Sequence, residues 1–271
     1  MRGLSALLTA EQVRADFVGP HGAAYIELSE LSATEHAELP EVWRELVSAP
    51  PESVAARISD QWTLHCPQFP LIAEFVRDHL LHLGLVRMQT PYHWVRALNH
   101  GPQPDDEAGT TVVLAYFFRD LTETFPFRMW FGYRPFGGEL PPYWTSVLPI
   151  GGTLATSVHD GFRNQFDEVG LVAVGDMHTV AERWINVNDP DGEDLMILNE
   201  PGGTELPRSR WPDFDSLVVV AENTDALGWA VDVEKTDGSG WGDSYDNLVP
   251  IPDLAHAVQA MILRNVGVFE R

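Results

Sequence analysis

The pair His159-Asp160 sets an imidazole beside a carboxylate and invites an acid/base reading. A general base needs such a partner to fix its tautomer and orientation. At His159-Asp160, however, Gly161-Phe162 follows at once, a context that suits a loop histidine packed or bonded to backbone. Asp78-His79-Leu-Leu-His82 spaces two imidazoles at i and i+3, near enough to share one helix face. A structural metal would need further ligands, and none is close in sequence. There is no His-Glu-x-x-His. Cys66 is the single cysteine, flanked by His65 and Pro67. It excludes an internal disulfide and a multi-thiolate zinc site, and it reads as a small buried hydrophobe.

Other catalytic and ligand-binding patterns fail on position. Asp189-Pro-Asp-Gly-Glu-Asp194 is acidic enough to chelate calcium. Aligning Gly192 with the glycine of an EF-hand loop, though, puts Val187 and Leu198 where oxygen ligands are required. The Asp237-Gly238 loop fails in the same way at Val233. Both are expected to be hairpin turns. Gly137-Gly138, Gly151-Gly152 and Gly202-Gly203 are isolated pairs, without a phosphate-loop spacing. No Gly-x-Ser-x-Gly elbow is present. The expectation is a non-enzymatic protein with no catalytic residue, no cofactor and no metal.

One constellation remains. Between Glu222 and Asp253, the carboxylates of Asp225, Asp232, Glu234, Asp237, Asp243, Asp246 and Asp253 interleave with Trp229, Trp241 and Tyr245, and only Lys235 offsets them. One reading is a solvated sheet rim with tryptophans turned inward. The other is a protein-binding face, in which aromatic anchors ringed by charge select a basic partner. On the second reading Asp225, Trp229, Asp237, Trp241, Asp243, Tyr245 and Asp246 are the candidate partner-binding residues.

The overall charge points the same way. Forty acidic residues against seventeen basic ones give −23, and sixteen of the seventeen cations are arginine. Residues 1–135 carry 17 acids and 10 bases, and residues 136–271 carry 23 and 7. Such a field repels nucleic acid and anionic membranes and speeds encounter with a basic protein. It also keeps a protein soluble, which could be its whole purpose. With 271 residues, 44% of them hydrophobic, the chain can bury a substantial core. No apolar run reaches the roughly 18 residues that span a bilayer. The N-terminus lacks a long apolar stretch, so a cytoplasmic location is expected.

These residues must be positioned by recognisable elements. Ser32-Ala-Thr-Glu35 is a capping box, and Leu39, Val42, Trp43 and Leu46 follow as an amphipathic face that Pro40 restarts. Further helices are expected over Glu52–His65 and over Pro70–Leu83, the latter capped by Gly84. The segment Gly101–Gly109, rich in Pro, Gly and acid, reads as a linker or long loop. Then the period changes. Thr110–Phe118 and Phe125–Tyr133 read as a hairpin. Short strands follow at 171–175, 184–187, 195–198, 217–222 and 229–234. Asp253 caps a closing helix with Leu254, Val258, Met261 and Ile262 in one stripe. The layout is α+β: a mostly antiparallel or mixed sheet flanked by helices, read either as a mainly helical region over 1–104 and an α+β domain over 105–271 or as one continuous globule.

Leu140-Pro-Pro-Tyr-Trp-Thr-Ser-Val-Leu148, followed by Gly151-Gly152, resembles the "LP-x-x-Y…FL…GG" segment of the SUKH superfamily. That group comprises bacterial immunity proteins and includes Smi/Knr-type fungal cell-wall regulators. Val158–Phe162, Gly170-Leu171, the strand at 227–233 and the helix after Asp253 are similar too, so the resemblance covers about residues 136–271. A second proline at Pro142 departs from the pattern and moves the expected helix start. The resemblance implies an α+β fold and a stoichiometric binder that neutralises a cognate polymorphic toxin. It supplies no catalytic residue. It also admits another role, a regulatory scaffold that binds a non-toxin partner.

Overall fold

The computed structural model describes residues 7–17, 23–90, 109–121, 124–165, 169–183, 196–223, 228–235, 237–244 and 247–266. Its helices are α1 (Ala10–Asp16), α2 (Ala33–Glu38), α3 (Glu41–Val47), α4 (Pro51–His65), α5 (Pro70–His79), α6 (Trp144–Gly151), α7 (Leu154–Ser157), α8 (Val180–Arg183) and α9 (Leu254–Asn265). Its strands are β1 (Ala24–Ile26), β2 (Leu80–Thr90), β3 (Gly109–Phe118), β4 (Arg128–Tyr133), β5 (Asp160–Asn164), β6 (Gly170–Leu171), β7 (Met196–Ile197), β8 (Leu217–Glu222), β9 (Gly228–Asp232), β10 (Gly240–Ser244) and β11 (Asn247–Ile251). All the strands join one sheet in the order β1-β2-β3-β4-β5-β6-β8-β9-β10-β11-β7. Each pairing is antiparallel except β11 with β7. The fold is α+β.

Local chemistry accounts for the helix starts. Glu35 N–H donates to Ser32 Oγ at 3.2 Å, and Ser32 N–H donates back to Glu35 Oε2 at 2.7 Å, so the capping box forms. The same Glu35 carboxylate accepts from Arg87 Nε at 2.6 Å, which ties the cap of α2 to β2. That bond holds the Glu35 carboxyl down at about 2. Pro40 restarts the chain as α3, and Pro51 and Pro70 open α4 and α5 at positions where a missing N–H costs nothing. The first amides of α5 are capped from far away: Gln259 Oε1 on α9 accepts from Leu71 N–H at 2.7 Å and Ile72 N–H at 3.2 Å.

Two expectations are corrected here. The helix after Pro70 stops at His79, and Leu80–Thr90 is a strand. Leu-Leu-His-Leu-Gly-Leu-Val-Arg-Met is apolar in both periods. Pairing with β3 from Leu80↔Phe118 to Thr90↔Gly109 decides between them. Gly84 is therefore a strand glycine and not a cap. A Cβ there would come within 2.6 Å of Tyr25 Cε2. The strand expected over 171–175 is reduced to Gly170–Leu171, followed by a 3-10 turn over Val174–Asp176. The Asp160 carboxylate takes the Val174 N–H, at 2.9 and 3.1 Å, and so draws the chain out of the ladder. The strand expected at 184–187 and most of the Gly101–Gly109 segment lie outside the described residues.

Alternation along the strands builds a core on each face. On one side Leu83, Leu85, Leu114, Tyr116, Trp130, Phe162, Val218 and Val220 meet α3 to α7 and α9 in a single large cluster. This cluster draws on both halves of the chain. On the other side Val86, Val113, Phe117 and Phe131 pack beneath Val13 of α1. Leu217, Val219, Ala230, Trp241 and Leu248 form a third cluster, covered by Val180, Leu206, Trp211 and Phe214. The end of α4 docks through Thr153 N–H, which donates to the His65 carbonyl at 2.8 Å. Gly152, at φ +57°, makes this approach possible, because a Cβ there would overlap the His65 oxygen.

Gly152→Ala is expected to lower the free energy of unfolding by roughly 1–3 kcal/mol from backbone conformation alone, with the overlap adding to it. Urea denaturation followed by tryptophan fluorescence measures the loss.

Candidate functional site

The structure separates the residues proposed as partner anchors. Ala230 sits opposite Trp241 in the β9–β10 ladder, and Trp229 opposite Gly242. Residues 229 and 230 point to opposite sheet faces, so the two tryptophans do too. Trp229 is half-buried against the helix-covered cluster, whereas Trp241 is 6% exposed inside the third cluster. Trp229 and Trp241 therefore cannot form one aromatic surface, and the reading in which the tryptophans turn inward describes Trp241. Lys235 lies with its Nζ 5.7 Å from the Trp241 ring and 3.1 Å from Asp232 Oδ2, covering the indole with a paired cation. Asp237 is exposed, in a turn with Gly238 at φ +77°. Its carboxylate accepts from Ser239 Oγ at 2.6 Å and Ser239 N–H at 3.0 Å, and these bonds lower its pKa. Asp243 lies in β10 opposite Leu248. Asp225, Tyr245 and Asp246 lie outside the described residues.

The groups that could do acid/base chemistry are held in structural roles. His159 is 0% exposed. Its Nδ1 lies 2.7 Å from the Gly161 carbonyl, so Nδ1 carries the proton of the neutral ring. Trp62, Tyr116 and Phe162 surround the ring at centroid distances of 5.7, 5.5 and 5.7 Å. Burial pulls its pKa down to about 4. Asp160 is 5% exposed and is bonded to Val174 N–H. Burial pushes it up to about 7, the neighbouring Asp176 charge adds to that, and the Val174 and Gly161 amides oppose it. The imidazole proton goes to a backbone carbonyl and the carboxylate takes a backbone amide. Each group holds the chain in place.

The other pairs dissolve similarly. His79 ends α5, stacked on Phe75 at 4.8 Å, while His82 belongs to β2 and meets the Tyr25 hydroxyl at 2.9 Å. They do not share the helix face that their spacing suggests. Cys66 is buried, and desolvation raises its thiol pKa, so no thiolate forms. His65 faces Thr153 Oγ1 at 2.8 Å. Among the described residues no group of three or more His, Cys, Asp or Glu could hold a metal ion. The Asp189–Asp194 loop lies outside the described residues. A cavity of about 20 Å³, room for about one water, lies between α6, α7 and the sheet, lined by Trp144, Val147, Leu154, His159, Leu171 and Val220.

Sequence reading missed one buried ionic element. Arg163 Nη1 on β5 meets Glu222 Oε2 on β8 at 3.0 Å, with both side chains 7% exposed, and His178 Nε2 approaches Glu222 at 3.9 Å. The partners are 59 residues apart. Nothing local marks them, because only the sheet order brings β5 and β8 together across the two-residue β6.

Surface electrostatics are one-sided. Arg14, Arg77, Arg87, Arg128, Arg134, Arg163 and Lys235 each face a carboxylate of this chain: Glu27 and Glu30, Asp60, Glu35, Asp120, Glu38, Glu222 and Asp232 respectively. Arg44 is bonded to the His36 and Leu39 carbonyls. Among the described residues, exposed carboxylates such as Glu11, Asp16, Glu41, Glu52, Glu74, Asp78, Glu234 and Asp237 outnumber exposed cations, which include Arg57, Arg208, Arg210 and Arg264. Among the described residues no helix is long and apolar enough to cross a membrane. No family model, curated protein or solved structure matches the chain.

Opposed stability dependences follow for the two buried neighbours. His159 titrates near 4 folded and near 6.5 unfolded, so its contribution falls as pH drops from 6.5 to 4. Asp160 titrates near 7 folded and near 3.8 unfolded, so its contribution falls as pH rises from 3.8 to 7. Asp160→Asn removes the second dependence. Relative to wild type, its unfolding free energy is expected to rise more steeply between pH 4.5 and 7, by on the order of a few kcal/mol. Urea midpoints across that range check the sign. Glu222→Gln removes the buried charge that faces Arg163 and is expected to lower the unfolding free energy by about 3 kcal/mol, read by the same denaturation.

Proposed function

We propose that this chain is a non-enzymatic, SUKH-type immunity protein that binds a basic cognate toxin and neutralises it by stoichiometric contact. The observation that carries the reading is the outward negative charge. The carboxylates exceed the cations by 23, and most of the cations described above are bonded within the chain. A surface of this kind attracts a basic cleft over several ångströms and raises the association rate. The immobilised state of His159, Asp160 and Cys66 adds support, since each is bonded or buried where a substrate would have to reach it. A SUKH-like sequence pattern contributes the toxin-binding class.

Recognition on this reading is electrostatic and lies on exposed carboxylates, with Asp237 at the β9–β10 turn as its sequence-derived part and the exposed Glu234 near it. Trp241 serves the core beneath them. Trp241→Ala would therefore report on folding, and charge variants are the cleaner probe.

Co-expression with the product of the adjacent gene, followed by size-exclusion chromatography, is the direct test. A 1:1 complex in which the partner's toxicity is lost is expected. Its association rate should fall about tenfold or more between low and high salt. Glu234→Gln with Asp237→Asn should slow association and leave stability unchanged. An association rate indifferent to salt, or a tight complex with a non-toxic signalling protein, overturns the proposal; the second result establishes the scaffold role in its place.

A further inference from the structure

The N-terminal edge of the sheet is lightly fastened, and one of its fastenings runs through a titratable ring. Leu8 N–H donates to the Leu81 carbonyl at 3.1 Å. β1 pairs with β2 over 3 residues, Ala24 to Ile26. Val13 is the one buried residue of α1. Among these pieces sits the partly buried His82 of β2. Its Nε2 lies 2.9 Å from the Tyr25 hydroxyl of β1, and the Leu8 backbone faces the same ring. The Phe117 ring of β3 approaches at 5.8 Å. The imidazole and Tyr25 both settle on Gly84, where a Cβ would come within 3.1 Å of Nε2.

A neutral imidazole suits this setting and a charged one does not. Burial pushes Tyr25 up to about 12, so its hydroxyl keeps its proton and donates it to Nε2. A charged ring carries an N–H at Nε2 as well, and that bond would have to reverse. The carboxylates at this edge, Glu27 and Glu30, are engaged by Arg14 of α1, whose guanidinium lies 5.8 Å from the centre of the Tyr25 ring. Phe117 brings no charge. Burial accordingly lowers the His82 pKa, with the Leu8 backbone opposing. Opening also has something to uncover. Val86, Val113, Ala115, Phe117, Met129 and Phe131 of the second core lie beneath this edge. An element held by so few contacts can open without global unfolding.

We propose that His82 is a pH-operated latch: neutral, it holds Leu8, α1 and β1 on the sheet, and charged, it releases them and uncovers the second core. In the open edge the ring titrates near its ordinary 6.5, above its value in the closed edge. The opening equilibrium therefore grows as pH falls, by up to about tenfold for each pH unit below 6.5. The latch does not depend on the proposed function.

Hydrogen exchange of the full chain, read by mass spectrometry and corrected for intrinsic rates, tests it. Between about pH 7.5 and pH 5.5, protection over 8–17 and 24–26 should fall by roughly threefold or more relative to α9, which reports global opening. His82→Gln keeps a hydrogen-bonding side chain but cannot take the charge, so it should lose that fall. A protection ratio that stays constant with pH in the wild type overturns the proposal, and so does the same fall in His82→Gln. Should His82→Gln fail to fold, Tyr25→Phe takes its place. Without the hydroxyl, protection over 8–17 at neutral pH should drop about fivefold relative to α9, and unchanged protection overturns the latch.

Discussion

The ladder between β2 and β3 is the constraint on which the rest of the structure depends. It runs from Leu80↔Phe118 to Thr90↔Gly109 and joins the helical N-terminal part to every later strand. Its side chains alternate between two cores. Leu83, Leu85, Leu114 and Tyr116 face the helices, and Leu81, Val86, Val113 and Phe117 face α1. A register slip of one residue would exchange these sets and place both against the wrong cover. With this ladder in place, α4 and α5 can only lie on one face, and the remaining strands extend the sheet outward from β4.

Burial on both faces leaves little water for polar groups, and the chain answers with long-range bonds. Trp43 Nε1 donates to the Val158 carbonyl at 2.6 Å, which ties α3 to the approach of β5. Gln259 caps α5 from α9. Asp120 accepts from Thr124 and Phe125 amides and from Arg128, holding the β3–β4 connection. Asp160 bends the chain after β6, and Arg163 with Glu222 crosses the sheet. Most of the titratable groups that seemed available for chemistry are therefore structural pins. The same arrangement bears on function. The proposed binding of a basic partner rests on the excess of exposed carboxylates among the described residues, which would favour contact with an oppositely charged surface.

Much of the architecture was legible in local pattern. The capping box at Ser32 and Glu35, the restart at Pro40, the β3–β4 hairpin, the all-buried Leu217–Glu222 strand and the Asp253-capped closing helix are short-range signals, and all appear. The candidate site was less legible. Trp229 and Trp241 look equivalent in a list of aromatics, but the β9–β10 register places them on opposite faces. The end of α5 was misread because Leu80–Met88 satisfies a helical stripe and a two-sided strand alike.

The sequence by itself determined the α+β class, the helix starts and the strong negative charge, because capping, proline geometry, β-branched runs and charge counts act within a few residues or across the whole surface. Only the tertiary structure decided which tryptophan is buried, which carboxylates are engaged and which histidine is locked. Those outcomes depend on partners tens to more than a hundred residues away, such as Glu35 with Arg87 or Trp43 with Val158. Burial in a common core, and not local preference, brings such partners together.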